Sequence, residues 1–123
     1  MEGSPWVGRG EVAGETARQV AQGEALFREV NERINEIADD FGLAEGFSIF
    51  CECASPECQE RLELTQAEYE HLRRMPTHFA VLRGHEIAAV ERVVQENDRF
   101  LTVEKLGDSG VTATMLDPRR RRA

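Results

Sequence analysis

Three cysteines that lie close together, Cys51, Cys53 and Cys58, are the residues of this chain whose type and spacing predict chemistry beyond folding. Thiolates are preferred zinc ligands, and a structural zinc is held by four Cys or His side chains in a tetrahedron. A disulfide scheme would leave one of the three thiols unpaired, and closely spaced thiols in a reducing compartment are more often metal ligands. The cysteines therefore predict three of the four ligands of a structural zinc.

The fourth ligand has to come from elsewhere, and the chain contains three histidines. His85 is favoured because Gly84 frees the backbone before it for a close approach at the end of a strand. His71 falls on a predicted helix and His78 in a loop after Pro76. Both stay open as alternatives, as do a carboxylate, a water molecule or a residue of another chain.

An enzyme is the alternative interpretation of the same cysteines. A zinc site with an open position could use Glu52 or Glu57 as a base, but the histidine and glutamate motifs that accompany catalytic zinc are absent from the sequence. A reactive thiolate needs positive charge nearby, whereas the neighbours here are acidic. We therefore predict a non-catalytic site, and no small-molecule substrate is evident.

Short elements with local signals surround the cysteines. The segment Phe47–Cys53 is rich in aromatic and β-branched residues and predicts a strand, in which Ile49, Cys51 and Cys53 share one face. Ser55-Pro56-Glu57 supplies a turn that can bring Cys58 back to them. The arrangement predicts a zinc knuckle at the end of an apolar strand.

The rest of the small domain also follows from turn and capping patterns. Thr65 and Glu68 form a capping-box pattern for a helix from Gln66 to about Met75, which Pro76 ends. Four further strands are predicted, although Ile87, Val90, Val93 and Val94 would also fit a helix. The strands are Arg61–Leu64, Phe79–Leu82, Arg92–Glu96 and Arg99–Glu104, the last two forming a hairpin around Asn97-Asp98.

A long amphipathic helix precedes this domain, from Thr16 to Asp40, with Phe41-Gly42 as its stop. At about 37 Å it would be too long for a small domain to cover completely. Its apolar stripe is expected either to pack on the domain or to bind a protein partner or a second copy through Thr16–Phe41. The stripe consists of Val20, Phe27, Val30, Ile34, Ile37 and Phe41, and the opposite, polar face carries Arg28, Glu29, Glu32, Arg33, Glu36 and Asp39.

Composition limits the remaining choices. A chain of 123 residues is sufficient for one modest domain, in which a metal would be a useful staple. The start of the chain has neither a signal peptide nor a membrane span, so a cytoplasmic protein is expected. We predict an α+β fold with a flexible lead at 1–14, the helix at 15–42, a zinc-binding domain with a small antiparallel sheet and one short helix at 43–107, and a flexible tail at 108–123.

The tail ends in a run of four arginines, Arg119 to Arg122. Such a run could bind phosphate groups as a nucleic-acid accessory, although terminal charge runs are usually solvated. The formal net charge of −8 opposes attraction of nucleic acid to the remaining surface. The charge pattern therefore argues against nucleic acid as the main partner.

As a set, the motifs of residues 50–105 resemble those of a group of small bacterial proteins to which no activity is assigned. In that group the histidine commonly follows Pro-Gly, whereas Arg83 precedes Gly84 here. The resemblance implies a small zinc-binding module with His85 as a ligand, and implies no reaction. It is carried by Cys51-Glu52-Cys53, Cys58, Leu64-Thr65, Glu68-Tyr69-Glu70, Pro76, Phe79, Gly84-His85-Glu86, Glu91, Val93-Val94 and Val103-Glu104-Lys105.

Overall fold

A computed structural model describes residues 13–53, 55 and 57–122 of the chain, and the side chains of residues 22–53, 55 and 57–120. The predicted lead at 1–14 lies outside these residues, apart from Ala13 and Gly14, which already belong to the first helix. The α+β class is confirmed. The elements are α1 (Ala13–Asp40), β1 (Phe47–Phe50), β2 (Arg61–Leu64), α2 (Gln66–Leu72), β3 (His78–Val81), β4 (Glu91–Glu96), β5 (Leu101–Lys105), α3 (Gly107–Met115) and a final 3₁₀ turn (Pro118–Arg122).

The strands form two small antiparallel sheets instead of one. In the first, β1 pairs with β2, so that Ile49 faces Leu62. In the second, β5 lies between β3 and β4. The predicted hairpin around Asn97-Asp98 is therefore confirmed over the helix alternative. A backbone hydrogen bond from Glu52 N to Ala80 O connects the cysteine segment after β1 to the second sheet.

Local signals account for the ends of the helices. At α2, the Thr65 hydroxyl accepts from the Glu68 amide and the Glu68 carboxylate accepts from the Thr65 amide, which confirms the capping box. At the end of α1, Gly42 has a φ of +71°, a left-handed conformation that glycine adopts without strain. Leu43 then donates its amide to Ala38 O and closes the helix.

Apolar side chains from both sheets and from α2 form one core beneath the helices. Full burial of a large apolar side chain contributes roughly 1.5–3 kcal/mol relative to exposure, and a domain of this size has few such residues. The most completely buried members are Ile49, Leu62, Leu64, Tyr69, Phe79, Ala80, Val81 and Val103.

Helix α1 contacts this core with its polar side, the reverse of packing through its apolar stripe. Arg28 and Glu32, which belong to the polar face of the sequence pattern, are almost completely buried. We call the buried side the inner face; it consists of Glu24, Ala25, Arg28, Asn31, Glu32, Asn35 and Ala38. Burial of charge is tolerated only where each group finds a partner, so the reversal requires partners from the domain.

The domain supplies these partners from distant parts of the chain. Lys105 is buried on β5 and contacts the carboxylates of both Glu24 and Glu91. The Arg28 guanidinium donates to Pro76 O at 2.6 Å and to Ala113 O at 2.7 Å. These contacts give α1 one position on the domain, because a sliding or rotated helix would leave buried charges unpaired.

The opposite side of α1, its outer face, carries apolar residues into solvent. Leu26, Ile37 and Phe41 are 62%, 54% and 75% exposed, and Val30 is also exposed. Phe27 and Ile34 lie at the boundary and are half-buried. Packing of the stripe on its own domain therefore holds only for these boundary residues. Val20 lies outside the residues whose side chains are described.

Residues 107–120 are folded in the structure, although the sequence predicts a flexible tail from residue 108 onward. Gly107–Met115 form α3, which packs on α1 and β5. The Arg119 guanidinium then pairs with Glu32 at 2.8 Å and with Glu70 at 2.9 Å. The prediction of a flexible tail is therefore wrong for this segment, and Arg119 is held by carboxylates of its own chain. Among the described residues, no helix is both long and apolar enough to cross a membrane.

Candidate metal centre

The cysteine segment begins where β1 ends. Strand pairing stops at Phe50, but the Cys51 amide still donates to Glu60 O, so the chain continues in an extended path. The Cys58 amide donates to Ser55 O and closes the turn that returns Cys58 toward the first two thiols. Cys51 and Cys53 are buried and Cys58 is half-buried.

His85 approaches from the other sheet. After β3 the chain turns, with the His85 amide donating to Leu82 O and Gly84 at a φ of +89°. A side chain at that φ would be strained, so glycine is the residue that allows this turn. The turn places the imidazole over the sulfurs.

The four predicted ligands come together. The Sγ atoms of Cys51 and Cys58 each lie 3.6 Å from Nδ1 of His85. All four potential ligand atoms lie within 4.8 Å of one another. Among the described residues, His71 and His78 are not part of this group. His71 instead lines a groove of about 350 Å³ beside the β4–β5 hairpin, and His78 pairs with Glu104 across β3 and β5.

This spacing fits a tetrahedral zinc. With zinc–sulfur bonds of about 2.3 Å and a zinc–nitrogen bond of about 2.0–2.1 Å, tetrahedral geometry separates sulfur from nitrogen by about 3.6 Å. Two of the three sulfurs have that separation from Nδ1. Soft thiolates with one imidazole are a donor set that suits zinc. The residues present therefore fit the predicted metal.

Backbone amides also favour thiolates at this site. The Leu82 amide donates to Cys51 Sγ at 3.4 Å. Without a cation, however, the hydrogen bond with Cys53, followed by burial, raises the pKa of Cys51. The hydrogen bond from Cys51 lowers the pKa of Cys53 to about 5, while burial raises the pKa of Cys58. Three thiolates this close therefore need a bound cation to be deprotonated together.

Sequence reasoning considered Glu52 only as a catalytic base and missed its structural role at the centre. It lies between two buried cysteines and is itself completely buried. Its Oε1 accepts from Arg73 at 2.6 Å and from the Ala80 amide at 3.0 Å. Its Oε2 accepts from Asn31 on α1 at 2.7 Å. Glu52 thus connects the cysteine segment to the inner face of α1, to the end of α2 and to β3.

The same contacts bear on the catalytic alternative. A general base has to reach a water molecule or substrate with a free oxygen. Both oxygens of Glu52 are engaged inside the protein, and Glu57 is exposed. Four protein side chains are within reach of a single ion, which would leave no position for substrate. The arrangement can hold a metal, and Glu52 has no free oxygen with which to act as a base.

Comparison of the chain with protein-family models, with curated proteins and with solved structures finds no match. The site is therefore described by its own geometry. A Cys₃His cluster in an α+β domain can hold a metal ion.

Proposed function

We propose that the chain is a non-enzymatic interaction or regulatory module whose fold is held by a structural zinc. The convergence of Cys51, Cys53, Cys58 and His85 within 4.8 Å supports this most strongly. Four protein ligands make a closed site, which is typical of structural zinc. A reducing compartment such as the cytoplasm would keep the three thiols available for the metal.

The position of the centre explains what the zinc would stabilise. The cysteines follow β1 of one sheet and His85 follows β3 of the other, so a bound ion would join the two sheets. Through Glu52 it would also support the inner face of α1. A small core benefits from such a staple, since binding of a structural metal contributes directly to folding.

The interaction role is supported by the outer face of α1. Its apolar residues are exposed while the opposite side of the same helix is buried against the domain. Apolar surface of this kind marks sites of protein association. We propose that a protein partner or a second copy covers it.

Metal analysis of the full chain tests the zinc assignment. We expect about one equivalent of zinc in the purified protein, lost in Cys51→Ser and weakened in His85→Ala. His78→Ala is the matched control, because His78 lies outside the cluster. Full retention of zinc by His85→Ala would reassign the fourth ligand, and absence of metal from the wild-type protein would remove the proposal.

A further inference from the structure

The carboxyl-terminal end of α1 combines exposed apolar surface with acidic residues. Phe41 is 75% exposed, and Leu43, after the helix, is 47% exposed. Asp39 and Asp40 stand in the last turn of the helix, and exposed Glu45 follows. Apolar side chains and negative charges are thus next to each other.

The two aspartates oppose the local electrostatics. The carbonyl end of a helix carries partial negative charge, which favours cations and disfavours carboxylates by roughly 0.3–1 kcal/mol each. The last turn of α1 contains no basic residue to offset them. Residues that break a local rule are expected where function requires them. A cation supplied from outside the domain would offset the negative charge at this end of the helix.

The described part of the domain leaves the outer face exposed. The inner face holds α1 through Lys105, Arg28 and Asn31, so turning the apolar side inward would unpair these groups. The outer-face residues Leu26, Val30 and Ile37 follow one another at helical spacing and face away from the domain. A partner could cover them without disturbing the inner face.

A second copy of the chain is a poor fit to this surface. One edge of the outer face carries Glu29, Arg33, Glu36 and Asp40 and is acidic on balance. If two outer faces pack antiparallel, this edge of one helix meets the same edge of the other, and if they pack parallel, the two Asp40 side chains lie at the same end. Each chain also carries a net charge of −8, so association of two copies works against long-range repulsion. Opposite charge on the partner removes this cost.

We propose that the outer face of α1, with Leu43, binds a cationic amphipathic helix of a different protein. Apolar residues of that helix would cover Val30, Ile37 and Phe41, and its Lys or Arg side chains would meet Asp40 and Glu45. Helix-in-groove recognition uses this combination of an apolar stripe and flanking charge. The proposal rests on the proposed interaction function and names the chemistry of the partner.

Binding of two synthetic peptides to the zinc-loaded full chain tests the proposal. Both are 18-residue amphipathic helices with the same leucine face, one with lysine and one with glutamate on the polar face. By fluorescence anisotropy we expect the lysine peptide to bind at least about tenfold more tightly than the glutamate peptide, and less tightly as salt rises. Ile37→Ser should weaken binding of the lysine peptide about tenfold or more, since it removes a large apolar contact.

Matched variants distinguish binding at this site from non-specific binding of the peptide. Val111→Ser removes another exposed apolar side chain, on α3, and should leave binding unchanged. Asp40→Asn with Glu45→Gln should weaken binding of the lysine peptide and reduce its salt dependence, whereas Asp108→Asn on α3 should not. Zinc content is measured for each variant, so that a loss of binding is distinguished from a loss of the metal centre.

Several outcomes would overturn the cationic-partner proposal. The first is equal binding of the two peptides, and the second is binding of the lysine peptide that Ile37→Ser leaves unchanged. The third is sedimentation of the wild-type protein as a dimer that Ile37→Ser converts to a monomer. The last result would make a second copy the occupant and preserve the interaction function. Absence of zinc from the wild-type chain would instead remove the structural-metal function, whatever the peptides show.

Discussion

The metal centre and the outer face of α1 differ in how their chemical requirements are met. At the centre, four ligand side chains converge and the neighbouring Glu52 has a partner for each oxygen. On the outer face, large apolar side chains are exposed beside acids that oppose the helix dipole. The comparison separates stability from interaction: the groups of the first region find partners within the described chain, and the second is the surface where we propose that a partner binds.

Of the changes that test this comparison, removal of the metal should have the largest effect on thermal stability. Zinc binding by small domains is worth about 10–16 kcal/mol of apparent free energy, much of it folding energy. A strong zinc chelator is therefore expected to abolish the cooperative thermal transition, or to lower its midpoint by tens of degrees, as followed by circular dichroism. Restored zinc should restore the transition. An unchanged midpoint after verified loss of zinc would show that the centre does not stabilise the fold.

Substitution of Glu52 should have the next largest effect. Glu52→Gln keeps the shape but leaves the buried Arg73 guanidinium without its counter-charge, which costs about 3–5 kcal/mol of unfolding free energy. Denaturant unfolding measures this loss. Glu63→Gln, on the exposed side of β2, is the control and should stay within about 0.5 kcal/mol.

A double variant sharpens the Glu52 prediction. Glu52→Gln with Arg73→Met removes both charges and should recover part of the loss, because the unpaired buried cation is gone. If the double variant loses more unfolding free energy than the two single variants together, Glu52 and Arg73 do not stabilise the protein as a pair. The coupling to α1 through Asn31 would then need another explanation.

A smaller effect is expected at the capping box of α2. A hydrogen bond from Arg99 lowers the pKa of Glu68 to about 2, and Glu68 also accepts from the Thr65 amide. Glu68→Gln keeps an oxygen for the Thr65 amide but loses the charge that pairs with Arg99, so it should cost about 1 kcal/mol or less at neutral pH. The stabilisation by the carboxylate is complete above its unfolded pKa of about 4.3 and is lost as the pH falls through about 2.

The pH dependence distinguishes this contribution from acid release of zinc. Thermal midpoints of the wild-type protein and Glu68→Gln are compared from pH 7 downward. Metal loss affects both proteins, so their difference isolates Glu68 and should shrink as the pH falls from about 4.3 toward 2. A constant difference would contradict the predicted role of its charge.

The smallest effect on stability is expected on the outer face of α1. Because Ile37 is already 54% exposed, Ile37→Ser creates no cavity. It should change the unfolding free energy by less than about 0.5 kcal/mol. Leu62→Ser, in the core, is the contrast and should be strongly destabilising. A large loss of stability in Ile37→Ser would mean that the outer face belongs to the fold.

Features with local causes were predictable from the sequence. The capping box at Thr65, the stop at Gly42 and the hairpin around Asn97-Asp98 each depend on residues close together in the chain. The grouping of the three cysteines with His85 was also predictable, since thiol spacing limits the chemistry and Gly84 marks the turn before His85. The split into two sheets was not, because short strands give no signal for their partners.

The orientation of α1 shows where sequence reasoning fails. Helical periodicity finds an apolar stripe but does not say whether that stripe faces the core of its own domain. Lys105, 81 residues from Glu24, makes burial of the polar side tolerable. The role of Glu52 was hidden for the same reason, because Arg73 and Asn31 are remote in sequence. Only the folded arrangement identifies these pairs.

X-ray absorption at the zinc edge of the purified full-length protein tests the central claim most directly. A closed Cys₃His centre predicts three sulfur atoms at about 2.3 Å and one nitrogen at about 2.0–2.1 Å from a single zinc. His85→Ala should lose the nitrogen shell. A zinc with a water oxygen in place of the imidazole, or with fewer than three sulfurs, would contradict a structural centre made by Cys51, Cys53, Cys58 and His85.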